Sequence, residues 1–207
     1  MSAQESDLAA RVERFRTLEN GISLEAALDF YDSLPPVRVE EVLGSWRGSG
    51  LPTGNPLDGL LERFGWYGKR FDDPETVYPL VFRRSDGSLY AVNPSFVPVG
   101  LLVRFPSQLR RPVVAKLFTA LRGVIATTKP HARLRLTEYR GVVSATMCYD
   151  ALPVNDVFRK VDDQTLLAVM DLRGMERPFL FVLRREASSA KIKPSPDPSG
   201  PNPEGDQ

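Results

Sequence analysis

The sequence has one cysteine, Cys148, and one histidine, His131, among its 207 residues. A single thiol excludes an intramolecular disulfide, and one imidazole with one thiol cannot supply the three or four ligands that zinc requires. No metal site and no cofactor is expected. Net charge is nearly absent as well: 27 Lys and Arg stand against 26 Asp and Glu, a formal charge of +1, which gives no global reason for a nucleic-acid partner. Long apolar runs are missing; even AVNPSFVPVGLLVRF is cut by prolines and a glycine, short of the roughly twenty residues that span a bilayer. The opening MSAQESDLAARVERF lacks a signal-type apolar core, so a cytoplasmic protein is expected. Phosphate-loop and nucleophile-elbow patterns are also missing, because no Gly-Lys-Ser/Thr follows GSWRGSG and no Gly-x-Ser-x-Gly occurs.

What is present is a 42% apolar content, enough for a sizeable core in a chain of single-domain length. Charge is uneven along it. The first 45 residues are acidic, whereas 101–140 carry Arg104, Arg110, Arg111, Lys116, Arg122, Lys129, Arg133, Arg135 and Arg140 against Glu138; an acidic partner would meet that stretch. Leu8, Val12, Phe15 and Leu18 recur at helical spacing, and after Gly21 and a Ser23 cap so do Leu24, Leu28, Tyr31 and Leu34, before Pro35-Pro36 forbids continuation. Residues 1–35 are therefore read as N-terminal helices. TVYPLVFRR and SLYAVN form a hairpin with Asp86-Gly87 at its tip, and PSQLRRPVVAKLFTALRG predicts a helix ending at Gly123. ARLRLTEYR, GVVSATMCYD, QTLLAVMDLRG and RPFLFVLRRE read as closely spaced strands. With a strand near Val42–Trp46, these predict an α+β protein, mainly β, in which residues 36–186 form one antiparallel barrel with an inserted helix. The proline-rich stretch 187–207 is expected to be disordered.

Both tryptophans fall in VLGSWRGSGLPTGNPLDGLLERFGWYGKRF, Val42 to Phe71. Gly44-Ser45-Trp46-Arg47-Gly48, with PTGNPLDGLLE and GWYGKRF and then ARLRLTEYRGVVSATMCYD, DVFRKVDDQTLLAVMD and PFLFVLRR, resembles the bacterial GXWXG-domain family and its companion C-terminal domain of unknown function. One departure is Asn55, where the family pattern carries His. A broader resemblance is to the calycins, the lipocalin and fatty-acid-binding barrels. It implies that Trp46 closes one barrel end under a cation from the last strand, Arg184 or Arg185, with Arg184 assigned. Trp66 and Tyr67, after a short helix over 56–64, are read either as cover for the other end or as the buried aromatics of a surface-loop plug.

The candidate ligand-binding residues are Trp66, Tyr67, Arg133, Arg135, Tyr139, Met147, Arg159, Met170 and Asp171. Arg133 and Arg135 share a strand face; inward, they would meet a carboxylate or phosphate, and outward they form a solvated face. DVFRKVDDQ reads as a charged connection between strands. Asp171, on an apolar strand, calls for a partner, with Arg135 first and Arg159 second. The function this favours is a binding protein for a hydrophobic or anionic amphipathic small molecule of fatty-acid or phospholipid type, with transient membrane contact. The calycin resemblance and the basic stretch support it, and an interior including Val143, Ala145, Met147, Met170, Phe179 and Phe181 would hold the chain. The alternative is an enzyme using Asp171 or Asp156 with Tyr139 or His131. A haem-binding barrel with His131 as axial ligand is disfavoured by that residue's place at a helix-to-strand junction, and Cys148 reads as an inert strand residue.

Overall fold

Helix α1 (Ala3–Leu18) buries Phe15 and Leu18 while Leu8 at its start stays exposed, so only the second half of the expected stripe is a packing face. Ser23 caps α2 (Leu24–Ser33) by accepting a hydrogen bond from Ala26 N at 3.2 Å, and this helix buries Ala27, Phe30 and Tyr31. The computed structural model describes residues 3–97 and 120–187. The helix expected over 106–123 lies largely outside these residues, as does nearly all of the tail.

After a helical turn, α3 (Val39–Val42), come β1 (Gly44–Gly50), a second turn α4 (Leu60–Arg63), β2 (Trp66–Phe71), β3 (Val77–Arg83) and β4 (Leu89–Val92). A turn α5 (Arg122–Ile125) and the two-residue β5 (Ala126–Thr127) precede five long strands: β6 (Ala132–Tyr139), β7 (Val142–Tyr149), β8 (Val154–Asp162), β9 (Thr165–Leu172) and β10 (Phe179–Arg185). Every pairing is antiparallel. The order β2-β1-β10-β9-β8-β7-β6-β3 returns to its start through β2 with β3, so eight strands form a closed ring, with β4 and β5 continuing from β3. The fold is thus mainly β, as expected.

Closure has one loose seam. The far edge of β3 is divided, meeting β6 at Val77 opposite Ala132 and β4 over Val81 to Arg83. The segment read as a charged connection is instead the strand β8. Val154, Asp156 and Phe158 point into the ring, while Val157 and Arg159 face the helices.

Alternation divides the apolar side chains into two cores. Inside the ring are Trp46, Phe71, Leu134, Met147, Phe158, Leu166, Phe179, Phe181 and Leu183; outside, α1 and α2 cover Leu167, Val169, Leu180 and Val182 with Phe15, Phe30 and Tyr31. The glycines of GSWRGSG make room on the inner face. A Cβ at Gly48 would lie within 2.6 Å of Trp66 Cζ2 and Cζ3, so the indole of β2 lies directly over this glycine. Trp66 is therefore part of the wall and not a loop cover.

Candidate functional site

The interior is filled at one end and open at the other. At the filled end Trp46 donates from Nε1 to Val42 O at 2.7 Å, and the Arg185 guanidinium lies 4.2 Å from the centre of its ring. Arg185 also donates to Leu43 O at 2.7 Å and Glu41 O at 2.5 Å, which ties α3 down over this end. The cation of the last strand is thus Arg185. Arg184, one residue earlier, points to the other face of the sheet and meets Glu19 and Ser49. Trp46 has the structural role expected of it; the assignment of Arg184 is off by one position, which in a strand means the opposite face.

At the other end lies a cavity with an enclosed volume of about 70 Å³. Its lining includes Leu57, Leu60 and Leu61 from the segment around α4, and Trp66, Leu80, Val154, Met170, Phe179 and Phe181 from the ring. On each strand the lining stops at a definite level: Phe179 and Phe181 belong to it but Leu183 does not, and Val154 and Asp156 do but Phe158 does not. At that level two charged side chains form the floor.

Lys69 and Asp156 come from β2 and β8, which stand opposite one another in the ring. Lys69 Nζ is 2.8 Å from Asp156 Oδ2, and both side chains are at most 3% exposed. The contact is an ion pair through Oδ2, and Asp156 Oδ1 has no hydrogen-bond partner among the described residues. The ammonium also donates to Pro79 O at 3.1 Å and to the Tyr149 hydroxyl at 3.5 Å. It sits 5.0 Å from the ring of Phe181, 5.7 Å from Tyr149 and 5.8 Å from Trp66. Negative ring faces stabilise a desolvated cation by about 2 kcal/mol or more, which helps offset the cost of burying the pair. Burial raises the Asp156 carboxyl above its ordinary range, against the opposing pull of Lys69. It also pushes the Tyr149 phenol well up, with the Asp156 charge adding to the effect. Trp66 Nε1 is buried without a hydrogen-bond partner among the described residues.

The candidate residues are distributed among several places. Trp66 and Met170 line the cavity, and Met147 lies inside the ring but off the lining. Of the other expected interior residues, Phe179 and Phe181 line it, Ala145 is buried in the inner core, and Val143 is 53% exposed near the end of its hairpin. Arg133 and Arg135 face outward, paired with Asp150 and Glu75 at 2.8 Å each, so the anion-meeting arrangement is not formed. Tyr67 is half-buried under Arg83, 4.4 Å from its ring centre. Tyr139, Arg159 and Asp171 belong to the outer face beneath the helices. There Arg159 lies 5.2 Å from the ring of Tyr31 and donates to Tyr139 O at 3.3 Å. Arg135 is engaged by Glu75, and no ion pair joins Asp171 to Arg135 or Arg159 among the described residues.

The acid-base pairs of the enzyme reading do not form either. No hydrogen bond joins Asp156 or Asp171 to Tyr139 or His131 among the described residues; His131 meets Thr127 Oγ1 at 3.2 Å. Burial lowers the His131 pKa, as does Lys129, while Asp150 opposes. Cys148 is half-buried on β7, and no group of three or more His, Cys, Asp or Glu able to hold a metal occurs among the described residues. The residues that sequence reasoning missed are Lys69 and Tyr149, although GWYGKRF, which contains the lysine, lies inside the recognised motif. Asn55, where the family pattern has His, is a brace. Its Nδ2 donates to Arg177 O at 2.9 Å and Pro178 O at 3.2 Å, and its Oδ1 accepts from Leu57 N at 2.9 Å.

A mainly antiparallel ring of strands with one capped end and an apolar cavity at the other defines the class of this protein. Residues 29–87 match the family described as GXWXG protein, and 130–185 match a domain of unknown function, DUF4334. A solved structure described as a protein from Thermomonospora curvata is 31% identical, with a TM-score of 0.63; the match covers 87% of this chain and 99% of that one. The chain belongs to the GXWXG family with its DUF4334 companion. None of the curated proteins matches it significantly. No helix among the described residues is long and apolar enough to cross a membrane.

Proposed function

We propose that the protein binds a small hydrophobic or amphipathic molecule in the cavity of a calycin-like barrel, its apolar part against Leu60, Leu80, Met170 and Phe179 and its polar end at the Lys69–Asp156 floor. The observation that carries this reading is the make-up of the cavity: its walls are almost entirely apolar side chains, with a few convergent polar groups at one level. Pockets that hold small molecules have this composition.

The test is extraction and mass spectrometry of small molecules that copurify with the protein, alongside displacement of Nile red by apolar ligands. A variant that fills the cavity, Met170→Trp, should lose both the copurifying molecule and probe binding while keeping the wild-type circular dichroism. Equal probe binding by Met170→Trp and wild type would overturn the reading.

A further inference from the structure

We infer that the molecule held in this cavity has an uncharged, hydrogen-bonding head, an alcohol in the simplest case, in place of the anionic head that a buried lysine would by itself suggest. This rests on the binding reading above and deepens it. Lys69 is the one cation of the cavity lining among the described residues, and it is already neutralised by Asp156 at 2.8 Å. The floor therefore presents a dipole of zero net charge. A carboxylate brought to Lys69 would also be brought to Asp156, among apolar walls whose low dielectric strengthens the repulsion. An ammonium head would meet the same difficulty with Lys69. Either ion would also lose its hydration with no free counter-charge among the described lining residues.

Two groups on the lining residues remain to be satisfied. Asp156, 1% exposed, has an acceptor oxygen, Oδ1, with no hydrogen-bond partner among the described residues, and Trp66, 6% exposed, has a donor N–H in the same condition. The Tyr149 hydroxyl, 3.5 Å from Lys69, adds a third polar group. A hydroxyl is the smallest head that both donates and accepts, so it can answer either vacancy without disturbing the ion pair. The inner side of the cavity is otherwise apolar, so the head is carried on an apolar body.

Isothermal titration of the full-length protein at pH 7.5 with 1-octanol, octanoate and octylammonium compares three heads on one chain. Octanol should bind at least tenfold more tightly than either ion. Asp156→Asn leaves Lys69 without its counter-charge, so this variant should gain at least tenfold for octanoate relative to octanol. Octanoate binding as well as octanol to the wild type would overturn the inference while leaving the cavity reading intact. Absence of binding by all three, together with unchanged Nile red binding in Met170→Trp, would defeat the cavity reading itself. If Asp156→Asn does not fold, the wild-type ranking still decides.

Discussion

A methyl group at position 48 would be placed inside the ring of Trp66, within 2.6 Å of Cζ2 and Cζ3, where carbon atoms ordinarily keep about 3.5–4.0 Å apart. The indole has little room to retreat. Phe181 meets it edge-on at 5.9 Å between ring centres, and Lys69, anchored to Asp156, lies 5.8 Å from it. Overpacking of this kind costs about 1–3 kcal/mol. Replacing glycine by alanine returns about 0.4–1 kcal/mol by stiffening the unfolded chain. Gly48→Ala should therefore lose about 1–2 kcal/mol net, which for a chain of this size lowers Tm by about 2–8 °C. Urea denaturation should show a lower midpoint with an unchanged slope, because the fold survives and only its packing suffers. The decisive comparison uses Trp66→Leu as background. Without the indole the added methyl has space, so Gly48→Ala should there be neutral or stabilising, and the double-mutant cycle should give a coupling above about 1 kcal/mol. An alanine variant as stable as wild type, or one equally damaged in both backgrounds, would refute the claim that the second glycine of the motif exists to seat Trp66.

Three further outcomes follow from the same packing. Arg185→Met should lose about 2–3 kcal/mol, from two charge-assisted bonds to backbone carbonyls and a cation over Trp46, whereas Arg184→Met, at a half-exposed ion pair, should lose less than about 1 kcal/mol; parallel urea titrations separate the two. Lys69→Met should be strongly destabilising at pH 7.5, by about 3–5 kcal/mol, because it leaves a buried carboxylate unpaired. The Asp156 pKa is raised by burial, so the folded state binds more protons than the unfolded state in the window above the ordinary carboxylate value, and stability from this group falls as pH rises. Removing Lys69 deepens that effect, and unfolding measured at pH 5 and pH 7.5 should show the smaller loss at pH 5. Asn55→Ala removes three hydrogen bonds, two of them from the segment before α4 to the β9–β10 turn, and should cost about 1–3 kcal/mol in thermal unfolding.

The apolar alternation of β6, β7, β9 and β10 was legible, because one side of each strand packs inside the ring and the pattern carries that directly. The capping of α2 by Ser23 and the structural place of Trp46 were legible for the same kind of reason, a local rule obeyed locally. What period-two counting missed lies where the period is interrupted. DVFRKVDDQ carries five charges, yet it is a wall strand: Asp156 faces Lys69 inside, Arg159 lies under Tyr31 outside, and Lys160 and Asp162 reach the end of the ring. Charge density argued for a turn held by local ion pairs, whereas Asp156, Arg159 and Lys160 find partners far along the chain, in Lys69, Tyr31 and Glu41.

Lys69 shows this most clearly. Counting by twos from the inward Trp66 sends Lys69 outward and Arg70 inward, which is the opposite of what occurs. The register slips on either side of Gly68, where β2 pairs irregularly with β3, and the slip turns Lys69 and Phe71 into the ring while Arg70 reaches Asp72 outside. Only glycine permits it: a Cβ at position 68 would collide with the Trp46 carbonyl oxygen and lie 2.8 Å from Gly48 N. The bulge is thus the device that delivers a cation to the floor of the cavity, as bulges re-aim side chains elsewhere. The cation in turn is tolerable there only because β8, on the far side of the ring, delivers Asp156 at the same level. Neither residue looks inward alone, and neither could be inward alone. The polar floor of the cavity is a joint property of two strands that meet only when the ring closes.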